Sequence, residues 1–277
     1  MLPQSFEFCS AKKEDAPQNS KLSSAFFKFV QIKKKCTFSG SPGLSRNINT
    51  YNESSLHNTL KIFYAGKFGG KTEVEADGHI YDILCDDGQV IEIQTGSVAR
   101  IAGKLKDALN KGHKVILVYP LVNRKRIFLT DENGEKISNR LSPKKGCIYD
   151  ILEQLTKITD ILLNPDFTLE IITIDLIEHR IRTAEAVQTK NHRRRYKKNW
   201  LKANKRLEQI IETTQFKTAR DYLALLPKDL PEEFCAKDLQ LPKYAHLLLW
   251  ILSRSSIIEM TSKKGRSFYY KIKPEPV

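Results

Sequence analysis

At 277 residues, with 40% apolar and 9% aromatic content, the chain can fill the cores of two compact domains, which excludes a wholly disordered protein. Lys and Arg outnumber Asp and Glu 46 to 32, and the net charge of +14 predicts attraction to a polyanion, nucleic acid before an anionic membrane. No stretch approaches 18 uninterrupted apolar residues, so no membrane partner is expected, and five scattered cysteines without a CxxC or Cys/His cluster support neither a disulfide framework nor a zinc site.

Residues 1–48 are rich in Ser and Lys, with one apolar island, SSAFFKFVQ, and read as a loosely ordered arm, either without chemistry or touching DNA. Glu7, Glu14 and Asp15 and the lack of a basic-then-apolar order argue against a leader, so a reduced, cytoplasmic compartment is expected. From 49 the text changes. Leu56, Leu60, Phe63 and Tyr64 recur at helical spacing, and Glu53 falls on that same apolar face, where an acid is out of place unless it is used. KTEVEADG, HIYDILCDDG and QVIEIQT then read as three strands joined by turns at Asp77-Gly78 and Asp87-Gly88. A helix follows, apolar at Val98, Ile101, Ala102, Leu105, Ala108 and Leu109 and stopped by Gly112. HKVILVYPL is a continuous apolar strand of the kind covered on both faces, so strand, helix and strand make a βαβ crossover with parallel strands.

A polar hairpin (RIFLTDENGEKISNRLS), a helix with Ile148, Ile151, Leu152 and Leu155 on one side, and the strand FTLEIITIDLIEHRIR complete a mixed α/β layer over 49–185. Residues 186–206 read as a basic linker, in which 190–206 hold nine Lys and Arg and no acid. From 207 to 277 the order is helix, short helix and turn, longer amphipathic helix, then a hairpin with a basic tip. That is the order of a winged helix-turn-helix domain. The expected fold class is therefore α/β, a mixed sheet flanked by helices, plus this C-terminal module.

Alternate residues of a strand share a face, so Glu92 and Gln94 point one way, and pairing through the Asp87-Gly88 turn brings Asp82 beside Glu92. Two carboxylates can hold Mg²⁺ or Mn²⁺ with water filling the remaining positions, and Glu53 would add a third acid or hold a metal-bound water. A metal site in a strongly cationic protein suits phosphodiester hydrolysis.

A helical Glu, an Asp on a strand and Glu-x-Gln on the next strand, then a helix and a buried strand, resemble the PD-(D/E)XK restriction-endonuclease-like nuclease superfamily over residues 52–120. The resemblance implies that Asp82 and Glu92 are metal ligands, that Glu53 is the helical acid, and that Gln94 occupies the usual lysine position. Glutamine carries no charge to position the attacking water. Lys104, one helix later, is a candidate for a migrated replacement. The arrangement is also similar to bacterial proteins of unknown function that join such a domain to a C-terminal winged helix.

HRRRYKKNW interleaves Arg193, Arg194, Arg195, Lys197 and Lys198 with aromatics, as phosphate contact requires, although a solvated linker has the same composition. In the C-terminal module Lys243, Tyr244 and His246 near the start of the longer helix, Arg254 near its end, and Lys263, Lys264 and Arg266 at the wing tip are candidate DNA contacts. His57, His79 and His113 lack a partner pattern and read as structural or surface residues. The leading expectation is a metal-dependent DNA endonuclease, with DNA as partner and a homodimer possible. The alternative is a catalytically silent nuclease-like scaffold that binds DNA or regulates.

Overall fold

The computed structural model describes residues 55–188 and 197–274. The N-terminal arm, Glu53 and the run Arg193, Arg194, Arg195 lie outside the described residues. Helix α1 (Ser55–Phe68) buries Leu56, Leu60 and Tyr64, each one turn from the last. It lies against β1 (Gly70–Ala76), β2 (His79–Cys85), β3 (Val90–Ile93) and β7 (Lys198–Phe216). A 3₁₀ turn at Val98–Arg100 leads into α2 (Ala102–Asn110), which is followed by β4 (Val115–Thr130) and β5 (Lys136–Leu141). After a 3₁₀ turn at Ile148–Ile151 and the single helical turn α3 (Leu152–Leu155) comes β6 (Phe167–Val187).

These strands form a seven-stranded mixed sheet in the order β1-β2-β3-β4-β6-β7, with β5 paired to β4. β3 and β4 run parallel through Val90↔Val115 and Ile93↔Val118, so the βαβ reading holds. β4 also pairs in parallel with β6, and β6 pairs antiparallel with β7. The all-apolar start of β4, VILV, is buried throughout because neighbours flank it on both edges and helices cover it.

Two elements of the larger layer differ from their sequence patterns. The helix expected around 148–155 is only one 3₁₀ turn and one α turn. Thr156 ends it, its hydroxyl donating back to the Glu153 carbonyl at 3.0 Å, a bond that competes with helix continuation. Ile151, Leu152 and Leu155 are nonetheless buried, so the apolar spacing reported burial rather than length. The described part of the basic linker is strand: residues 198–206 are the first half of β7, which continues unbroken through 207. Pairing with β6 supplies the backbone partners that a solvated linker would take from water.

The C-terminal elements are α4 (Ala219–Leu223), β8 (Phe234–Cys235), α5 (Ala245–Arg254), β9 (Ile258–Lys264) and β10 (Ser267–Ile272). The last two form a hairpin at Gly265, and β8 adds a third strand in the order β8-β10-β9. Leu248, Leu249 and Leu252 of α5 join one apolar core with Leu105, Leu152, Leu155 and Ile171 of the larger layer. The Tyr149 and Tyr244 rings stack at 5.5 Å, and the Tyr244 hydroxyl donates to Asp150 Oδ1 at 2.7 Å. No helix among the described residues is long and apolar enough to cross a membrane.

Candidate carboxylate site and basic surfaces

The acids of the second and third strands sit where the two strands part. β2 and β3 pair only at Ile83↔Ile91 and Leu84↔Val90, next to the turn. Beyond those pairs the side chains replace the ladder. The Ile93 N–H donates to Asp82 Oδ2 at 2.9 Å, and the Asp82 N–H donates to Glu92 Oε1 at 3.1 Å. Each acid thus satisfies a backbone donor of the opposite strand that would otherwise be left unpaired at a half-buried edge.

Two cationic groups converge on this split from different elements. Lys104 Nζ lies 2.6 Å from Glu92 Oε1 and donates to the Ile80 carbonyl at 2.5 Å. It arrives there because one face of α2 is laced to the β1–β2 hairpin. Asp107 meets His79 at 3.0 Å and Lys111 reaches the Asp77 carbonyl at 2.6 Å, so residues 104, 107 and 111 contact positions 80, 79 and 77 in turn. From α1, His57 Nε2 lies 2.6 Å from the Ile93 carbonyl and 3.2 Å from Asp82 Oδ2. Both neighbours accept, so Nε2 carries the proton.

Burial separates the two acids. Glu92 is 2% exposed and its pKa is pushed up to about 7, first by desolvation and then by the charge of Asp82, against the pull of Lys104. Burial pushes Asp82 up as well, but His57, the Ile93 N–H and Lys104 outweigh it and hold the carboxyl below its ordinary value. Two neighbouring acids with their affinities for protons driven apart are an arrangement found at working sites more often than in scaffolding.

Asp82 Oδ1 and Glu92 Oε2 make no hydrogen bond or ion pair among the described residues. Hard carboxyl oxygens without a hydrogen bond among the described residues fit a hydrated Mg²⁺ or Mn²⁺, which needs only one or two carboxylates. Among the described residues no group of three His, Cys, Asp or Glu side chains is placed to hold a metal. Gln94 is directed elsewhere: its Oε1 accepts the Gly96 N–H at 3.0 Å, closing its own turn. His57 was legible only as a lone histidine, although it stands one helical turn after Glu53 in the sequence. His113 also has partners, the Gly88 carbonyl at 2.7 Å and Asp77 Oδ2 at 2.8 Å, and it ties the two turns together.

The candidate DNA contacts divide into packing residues and exposed ones. Tyr244 is a packing residue, held by Tyr149 and Asp150, and Lys243 bonds its hydroxyl at 2.9 Å. Lys264 pairs with Glu233 at 3.1 Å and Lys263 lies 5.3 Å over the Phe268 ring. Arg254 is exposed, and with His246 and Trp250 it makes an i, i+4, i+8 stripe on the open face of α5. Arg266 lines a groove of about 520 Å³ between α5 and the hairpin, with Lys237 and His246 also on its wall. Lys197, just before β7, is exposed, and on the strand Lys198 lies 4.4 Å over the Trp200 ring.

The profile of a family described as Domain of unknown function (DUF8091) matches residues 54–217, from α1 to the end of β7. An uncharacterized protein of Treponema pallidum (strain Nichols) is 32% identical over 232 residues, covering 82% of this chain and 88% of that protein. No solved structure matches. The chain belongs to the DUF8091 family.

Proposed function

We propose that this member of the DUF8091 family is a divalent-cation-dependent nuclease of PD-(D/E)XK type acting on DNA, in which Lys104 of α2 replaces the strand lysine whose place Gln94 holds. The observation that carries the reading is the ammonium of Lys104 at 2.6 Å from Glu92, beside Asp82. The finer fold reading, a restriction-endonuclease-like layer followed by a winged helix, rests on element order. Strand, helix and parallel strand follow the acids, and α4, β8, α5 and the β9–β10 hairpin follow the layer.

Asp82 and Glu92 are the residues that would hold Mg²⁺ or Mn²⁺, which when bound supplies a nucleophilic hydroxide and charge for the phosphorane. Lys104 contributes a positive charge fixed by the Ile80 carbonyl and stands where it can orient an attacking water or steady a scissile phosphate. His57 fixes the Asp82 carboxylate from the opposite side. The excess of cations over the molecule draws the phosphate backbone toward the site.

A second reading, a silent scaffold that binds DNA, is favoured by two observations. Lys104 is itself a counter-charge for Glu92, and among the described residues the Gln94 side chain makes no bond to either acid. Incubation with supercoiled plasmid in Mg²⁺ or Mn²⁺ separates the two. Nicking that disappears in Asp82→Ala and Glu92→Ala supports the nuclease. Intact DNA binding without nicking under either metal leaves the scaffold.

A further inference from the structure

Far along the sheet from the β2–β3 split, the long halves of β4, β6 and β7 carry a second charged cluster. Its centre is Glu178, only 2% exposed in the middle of β6. Arg180 meets its Oε1 at 2.5 Å, and Lys202 and Lys125 approach its Oε2 at 3.5 and 3.9 Å from β7 and β4. Lys205 is the β7 residue paired with Glu178 in the ladder, and its ammonium makes no hydrogen bond or ion pair among the described residues. One carboxylate is therefore shared by three cations, with a fourth facing it across the ladder. Beside it Arg180 lies 3.7 Å over Trp200, whose ring also carries Lys198 at 4.4 Å.

A fold that needs only to satisfy a buried carboxylate is served by Arg180 alone. Three more cations repel one another, and a buried charge without a partner is costly. Burial, with the like charges of Lys202 and Lys125, outweighs the attraction of Glu178 and pushes the Lys205 ammonium below its ordinary pKa. Lys202 is 48% exposed, so the cluster opens to solvent along the strands. Spread over three strands, it suits a polymer of repeating negative charge better than a single small ion. With cations already over the Trp200 ring, the contact offered is to phosphate and not base stacking.

We infer that this face of β4, β6 and β7, through Lys125, Lys202 and Lys205, binds the phosphodiester backbone of nucleic acid without reading its sequence. The inference rests on the nucleic-acid reading above and adds a surface outside both the carboxylate site and the C-terminal module. Backbone neutralisation releases counterions, so each lysine contributes its own share of the salt dependence.

The test is fluorescence anisotropy with two short DNA duplexes of unrelated sequence, from about 50 to about 200 mM salt. Lys205→Gln should weaken binding equally for both duplexes and lower the slope of log K against log salt by about 1, and Lys202→Gln/Lys205→Gln by about 2. Because the Lys205 ammonium makes no hydrogen bond or ion pair among the described residues, Lys205→Gln should melt no lower than the wild type. Wild-type binding with an unchanged slope in Lys205→Gln overturns this inference alone. A wild type that binds neither duplex overturns the nucleic-acid reading with it. Tighter binding of polyglutamate than of DNA, lost in the variant, would give the face to an acidic protein instead.

Discussion

Asp82 and Glu92 stand inside apolar strands because the strands stop pairing there. The carboxylates take the two N–H groups that the parting backbones release. That arrangement leaves Glu92 titrating in an accessible range. Its folded pKa of about 7 lies above the ordinary 4.5, so between those values the folded chain holds a proton that the unfolded chain has released. The stability linked to Glu92 is therefore complete below about pH 4.5 and lost as the pH rises through about 7. Glu92→Gln removes the titration. Its stability relative to wild type should rise across that window, by about 1–3 kcal/mol, and then level off. Thermal melts from pH 4 to about 8 check this, and a difference that stays flat with pH would contradict the assignment. The acids and their strand spacing were legible in the sequence. The role of His57 was not, because nothing local to it announces the Ile93 carbonyl or Asp82, which follow 36 and 25 residues later.

At the scale of elements, α2 does more than cover the sheet. Its contacts from residues 104, 107 and 111 to the β1–β2 hairpin set the height at which Lys104 meets Glu92. The apolar face of α2 was readable by its period, but its polar face has meaning only once the hairpin is in place. The helix expected around 148–155 and the first helix expected in the C-terminal module are shorter than expected for the same reason: apolar spacing marks what is buried, while local bonds decide how many turns form. Thr218 caps α4 and Asp221 returns the bond, yet the helix ends at Leu223. Two glycines test the packing around these elements. A Cβ at Gly146 would stand 2.9 Å from both Leu121 Cδ1 and the Val122 carbonyl, so Gly146→Ala should cost about 1–3 kcal/mol. Gly66 lies inside α1 with nothing beyond its chain neighbours and its own helix backbone within 4 Å of a new Cβ, and Gly66→Ala should stabilise by about 1 kcal/mol. Paired denaturant titrations of the two variants check the signs.

Across the whole molecule, the shared core makes the C-terminal elements an extension of the layer rather than a tethered module. The Asp150–Tyr244 bond and the Tyr149 stack lie at that junction. Tyr244→Ala should destabilise both parts together, in one transition, by about 2–4 kcal/mol. Two separated transitions in calorimetry would contradict the shared core. Composition announced a cationic protein, and among the described residues cations gather on α2 beside the acids, on the long strands around Glu178, and on the wall of the α5 groove. The middle one was hidden in the sequence because Lys125, Arg180 and Lys205 are brought together only by strand register.

The migrated lysine is the claim on which the nuclease reading turns. It is tested most directly by plasmid nicking with Lys104→Ala and with Lys104→Ala/Gln94→Lys, each beside the wild type in Mg²⁺ or Mn²⁺. Loss of nicking by about 100-fold or more in Lys104→Ala, with partial recovery when the strand position regains its lysine, is the predicted result. Nicking by Lys104→Ala at the wild-type rate would contradict the account.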